Sequence, residues 1–128
     1  MLLNCFAVGA GGFIGAVLRY LIGLIPVLSR GVLPYQTLLV NAAGAVLIGM
    51  IAGFCEGNVN YANLSPQTVL FLKTGVCGGF TTFSTFSLET AGLLSSDRPL
   101  SAAVYTVLSI VLCVAGVFVG KWAGEALR

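Results

Sequence analysis

The chain has 128 residues, 58% of them hydrophobic, with six Lys/Arg, four Asp/Glu, no histidine and a formal net charge of +2. A mean hydropathy of +1.03 with 8% charged residues excludes an ordinary soluble domain and reads as one integral membrane domain over residues 1–128. So small and dispersed a charge excludes a nucleic-acid surface. Without histidine, a carboxylate pair or a nucleophile beside a base, no constellation for an enzyme can be assembled.

The first apolar segment covers about residues 4–25 and ends near Pro26. It begins with no basic residues and runs too long for a cleavable signal, so it is expected to stay as a span. Arg19 lies in its last third and is expected to snorkel toward the interface. A second span covers about residues 35–55 and carries Asn41, an amide that needs partners inside a membrane. Third and fourth segments cover about residues 66–94 and 100–124. The connections 26–34, 56–65 and 95–99 are short and rich in Pro, Gly, Asn or Ser. Pro66 and Pro99 sit where a helix start tolerates proline. The fold class is therefore an all-α membrane protein of four transmembrane helices.

Four spans place both termini on one side. Lys73, Lys121 and Arg128 then lie toward the terminal side, and Arg19, Arg30 and Arg98 toward the other. An even split gives the positive-inside rule nothing to act on. Either chance or insertion in both orientations accounts for it. Glycines recur four apart at 11/15, 49/53/57, 75/79 and 116/120/124. That spacing puts them on one helix face and lets backbones approach closely. Glycine-rich faces on every span suggest an oligomer. Cys5, Cys55, Cys77 and Cys113 form no Cys-x-x-Cys pair. They read as small apolar packing residues rather than soft-metal ligands.

The third segment is the most informative. Gly75, Gly78 and Gly79 interrupt its centre, and Thr81 and Thr82, both N-cap types, follow. The pattern predicts a helix, a glycine break and a capped second helix. A break at membrane depth is tolerated where it lines a cavity, holds an ion or is buried in protein. Carbonyls freed before such a break suit a cation, and N–H groups after it suit an anion. Phe83 and Phe86 share a face beyond the break, among the hydroxyls of Thr81, Thr82, Ser84, Thr85 and Ser87. Ring edges are electropositive, so rings among hydroxyl donors make a weakly polar anion path. The competing possibility is that the rings pack in an apolar core and the hydroxyls bond back to carbonyls of the preceding turn. Tyr105 and Ser109 share a face of the fourth span, with Thr106 beside them. Glu89, near the end of the third segment, is expected to play a structural or interfacial part.

With residues 78–86 reading Gly-Gly-Phe-Thr-Thr-Phe-Ser-Thr-Phe, the chain resembles the Fluc (CrcB) family of fluoride channels. Gly11-Gly12-Phe13-Ile14-Gly15-Ala16 with Arg19-Tyr20 carries the likeness too, as does Thr37-Leu38-Leu39-Val40-Asn41 with Gly44. The fourth span matches mainly by character. The resemblance implies a dual-topology antiparallel homodimer in the cell's inner (plasma) membrane. Two pores would let cytoplasmic fluoride leave passively and so confer fluoride resistance. It also implies a structural Na+ at the dimer centre, on the backbone carbonyls of Gly78 and Thr81. By the same resemblance Phe83, Phe86, Asn41, Ser84 and Thr85 line the pores, Tyr105 and Ser109 extend the polar track, and Arg19 attracts anions at a vestibule.

Two other readings compete. Small multidrug or guanidinium exporters share the length and span count, but they need a membrane-embedded glutamate in the first span. Here that span has no acid, and the first glutamate in the chain is Glu56, in a predicted loop. A structural membrane subunit with no transport of its own is the third reading.

Overall fold

A computed structural model describes residues 1–29, 31–55 and 64–127. Arg30 and Arg128 of the charge balance, Gly57 of the second glycine row, Glu56 and most of the 56–65 connection lie outside the described residues. The described chain is mostly helical, with no strand among these residues. Helix α1 is Leu2–Gly23. A single 3-10 turn, Pro26–Ser29, leads to α2, Tyr35–Cys55. Helix α3, residues 66–80, is a composite: an α turn at Pro66–Val69, a π-helical stretch at Leu70–Cys77 and a last α turn at Gly78–Phe80. Helix α4 is Phe83–Ser95 and α5 is Pro99–Ala126. Pro66 and Pro99 both open their helices, where a missing N–H costs nothing.

Three of these helices, α1, α2 and α5, are long and apolar enough to cross a membrane. Their outer faces confirm the setting. Phe6, Phe13, Phe118 and Trp122 are each about 70% exposed. Among the described residues the buried hydrophobics are only Val40, Ala45, Cys77, Phe80, Ala102 and Tyr105. A chain this apolar with so thin a core belongs in lipid, where the hydrophobic effect between helices vanishes and close packing takes over.

Glycine supplies that packing, and it defines two parallel helix pairs. In the first, Gly11 and Gly15 of α1 lie against the backbone of Phe71, Gly75, Val76 and Phe80 in α3, and Gly79 lies against Gly12. In the second, Gly49 and Gly53 of α2 lie on the carbonyls of Val117 and Lys121 in α5, while Gly120 and Gly124 lie on those of Val46 and Met50. Contacts that climb together along both chains make each pair parallel. A Cβ at Gly11, Gly15, Gly49, Gly53, Gly75, Gly79, Gly120 or Gly124 would overlap backbone, which cannot swing aside. Helix α4 runs antiparallel to α2, since Asn41 meets Thr82 and Thr37 meets Glu89.

The third segment is broken, but not at its glycines. Gly75, Gly78 and Gly79 are all helical, and Gly75 and Gly79 serve the seam with α1. The helix opens at Thr81 (φ −82°, ψ 159°) and Thr82 (φ −151°, ψ 113°), both extended. Thr82 is then the N-cap of α4, its hydroxyl accepting from the Thr85 N–H.

Candidate functional site

Removing two residues from a helix strands backbone groups on both sides of the gap. Neighbouring side chains answer most of them. The Thr81 N–H and hydroxyl both donate to the Cys77 carbonyl, at 3.0 and 2.9 Å. The Asn41 amide forms a two-way clamp: its Oδ1 accepts from the Thr82 N–H at 2.8 Å, and its Nδ2 donates to the Thr82 carbonyl at 3.0 Å. Arg19 donates from Nε to the Gly79 carbonyl at 3.2 Å. Its guanidinium therefore turns inward to the break instead of snorkelling to the interface, because a freed carbonyl lies within reach. The Gly78 carbonyl is among those that lose their helical donor. The Thr82 N–H that would serve Gly78 in a continuous helix is committed to Asn41.

Eight of the ten residues singled out from the sequence line two cavities. An open, mostly apolar hollow of about 710 Å³ is lined by Asn41, Gly78, Thr81, Phe83, Phe86 and Ser109. A second cavity of about 360 Å³ is lined by Arg19 and Thr85, with Thr37, Thr82 and Glu89. Thr82 borders both, so the break is the wall between them. Ser84 lies exposed beside it, 3.3 Å from the Thr82 hydroxyl. Tyr105 lies at neither rim; it is fully buried, with its hydroxyl 2.7 Å from Glu89.

The aromatic side chains form a row. Phe83 and Phe86 have centroids 5.5 Å apart, tilted by 41°, and Phe86 and Tyr105 stand 5.2 Å apart at 47°. Tilted rings turn edges toward neighbours, which suits a weakly polar path. Phe83 is 78% exposed and Phe86 half-buried, so the rings do not sit in a closed core.

The hydroxyls divide into two sets. Those of Thr81, Ser87, Thr90 and Thr106 bond back to carbonyls four residues earlier, and for them the packing alternative holds. Thr82 instead donates to Thr85 at 2.9 Å and builds a local cluster. Ser109 is buried in the lining of the larger hollow, and its hydroxyl, itself covered, has no partner among the described residues.

Glu89 is the residue that sequence reasoning undervalued. Its Oε1 accepts from the Thr37 hydroxyl at 2.8 Å and its Oε2 from Tyr105 at 2.7 Å. The signal was available: a carboxylate one turn beyond Phe86 in an apolar segment is a functional candidate by default. Thr37, buried in α2, carries no site signal of its own in the sequence; its place one turn before Asn41 puts it on the face that meets α4.

The chain is similar to known proteins over most of its length. The profile of the family described as "CrcB-like protein, Camphor Resistance (CrcB)" matches residues 6–121. A protein of Ruminiclostridium cellulolyticum named "Fluoride-specific ion channel FluC" is 40% identical, over 98% of this chain and 95% of its own length. Proteins of the same name from Rhizobium meliloti and Chlorobaculum tepidum are 45% and 44% identical, covering 88% and 91% of this chain and 89% and 90% of their own. With the match spanning α1 to the last turns of α5, break and clamp included, the chain belongs to the CrcB-like family.

Proposed function

We propose that this protein is a fluoride-selective channel, not an enzyme, and that it lets fluoride leave the cytoplasm passively across the inner (plasma) membrane and so confers fluoride resistance. The observation that carries the reading is the break itself: it sets a run of hydroxyls and phenyl edges between two cavities. The names of the relatives point to the same ion.

Fluoride is small and strongly hydrated, so a path must replace its water with donors in sequence. Conduction also needs binding weak enough to release the ion. Neutral hydroxyls and ring edges meet both needs. The hydrogen bonds sort which hydroxyls can serve. Thr37 and Tyr105 spend their single protons on Glu89, and Thr81 spends its own on Cys77. Ser109 has an unpartnered hydroxyl buried just beneath the hollow's surface, and Thr85 accepts from Thr82 and so keeps its own proton to donate. Ser109 and Thr85 are the donors, Phe83 and Phe86 supply ring edges, and Ser84 stands at the exposed approach. Asn41 holds the wall in place. Tyr105 positions Glu89 and backs Phe86.

The working unit is an antiparallel homodimer of four-span subunits inserted in both orientations, each subunit a single domain. Three things support it. The helix directions put both ends of the chain at one face. The larger hollow leaves Phe83 and Gly78 open to one side, where a second copy would close it. The basic residues split evenly. A Na+ at the dimer centre fits the residues present: the Gly78 carbonyl has lost its helical donor and lies on the hollow, with Thr81 beside it. Held there, the ion would tie two breaks together, and no other step depends on it.

The test is fluoride efflux from liposomes, read with a fluoride electrode under a potassium gradient and a potassium ionophore. Efflux without a proton gradient supports the channel. Strict proton coupling would favour an exporter, for which Glu89 would be the candidate carboxylate. No flux at all would leave a structural subunit.

A further inference from the structure

We propose that Arg19 is a positioning residue for the break, the C-terminal cap of α3, and not the vestibule cation that attracts fluoride. The inference rests on the channel reading. It begins with the end of α3, where the last carbonyls of the helix lose their partners and carry the negative end of its dipole. Cys77 is satisfied by Thr81, and Gly78 opens on the hollow. The Gly79 carbonyl is served from outside, by Arg19.

The geometry of α1 explains why an arginine at this position reaches it. Gly15 lies against the backbone of Gly79 and Phe80. Arg19 is one turn further along the same face, and helix side chains lean back toward the N-terminus. The guanidinium is thus brought down over the end of α3 just past the glycine seam. There it does two jobs. It fixes the last turn of α3 against α1, so that Thr81 and Thr82 leave the helix at a set point. It also neutralises a carbonyl dipole beside the cavity lined by Thr82, Thr85 and Glu89, where that dipole and the Glu89 carboxylate would both repel an anion. Lysine cannot copy this, because it has no donor at the ε position and its ammonium sits at the end of a flexible stem.

Arg19→Lys therefore separates the two roles. An attracting cation acts through charge, so lysine should preserve flux, and any deficit should appear as a higher half-saturating fluoride concentration. An anchor acts through one placed hydrogen bond. Losing a charge-assisted bond of this kind lowers maximal flux about tenfold or more, with half-saturation unchanged and the oligomer intact. Parental maximal flux in Arg19→Lys, or a shift confined to half-saturation, overturns the proposal. A second measurement needs no variant. In bilayer-reconstituted parent protein, the Arg19 Nε–H should exchange with water far more slowly than that of exposed Arg98, and saturating fluoride should not move its NMR resonance. Exchange as fast as at Arg98, or a shift that titrates with fluoride, overturns it. A parent protein that conducts no fluoride would sink the channel reading, while the Nε–H exchange would still decide the anchor.

Discussion

The two halves of the broken segment are held in opposite ways. Residues 66–80 lie backbone to backbone on α1, with Gly75, Cys77 and Phe80 buried. Phe83–Ser95 has no buried residue and is held by side chains alone: the Asn41 clamp, the Glu89 carboxylate and the contact of Phe86 with Tyr105. The difference separates frame from working surface. Where backbones touch, small shifts are forbidden and the helix end is placed firmly. Where only side chains touch, rings and hydroxyls stay available to an ion or a partner subunit.

The harshest test of that division is Gly15→Val. The new side chain would overlap the backbone of Val76, Gly79 and Phe80, none of which can rotate away. Overpacking of this kind costs about 3 kcal/mol or more, and the purified protein should lose its monodisperse peak in detergent. Gly12→Ala is the matched control on the same helix, since its Cβ meets nothing within 4 Å. Equal behaviour of the two variants would dissolve the distinction between frame and surface. Gly78→Leu turns the comparison toward assembly. Gly78 also has open space around it in the single chain, so the subunit should fold normally. Its side chain would enter the hollow that a second copy covers, and size-exclusion with light scattering should report monomer. A stable dimer would show that this face is not the interface.

Next come the rings. Phe83→Ile and Phe86→Ile each remove an aromatic edge and roughly conserve apolar bulk. Each should cut fluoride flux about fivefold or more, the scale of a lost ring contact near 1 kcal/mol, while dimer and thermal stability hold. Phe86 contacts Tyr105 as well as Phe83, so its loss should also loosen Glu89; Phe83, more exposed, should show the purer flux effect. Unchanged flux in both would mean the rings only pack.

Much of this was legible in the sequence. Hydropathy located the segments to within a few residues, because apolar length is a local property. The N-cap choice of Thr82 was legible for the same reason. What was missed depended on neighbours. Gly75 and Gly79 looked like the interruption because glycine weakens isolated helices, yet packing on α1 keeps them helical and the break falls at the threonines. For Glu89 a structural or interfacial part was legible and the structural one holds, but its partners were not, because its two donors lie 52 and 16 residues away. Arg19 looked like a snorkelling side chain because its acceptor, a carbonyl freed by the break, belongs to another helix.

The smallest effect probes the far end of the side-chain-held half. Helix α4 closes with Arg98 N–H on the Leu93 carbonyl at 3.0 Å and Asp97 N–H on that of Leu94 at 3.2 Å, the paired bonds of a Schellman turn. Asp97 stands at the left-handed position, φ 53°, where glycine carries no Cβ penalty. Asp97→Gly should therefore raise stability by up to about 1 kcal/mol, read as a higher melting temperature in detergent. Fluoride flux should not change, because Asp97 borders neither cavity. A flux change without a stability change would mean that the end of α4 feeds into the break about three turns away, and that the surface half is as rigidly coupled as the frame. If stability rises with flux constant, the far end of α4 is scaffold only, and the working part of the helix is confined to its first two turns, between the Thr82 cap and Glu89.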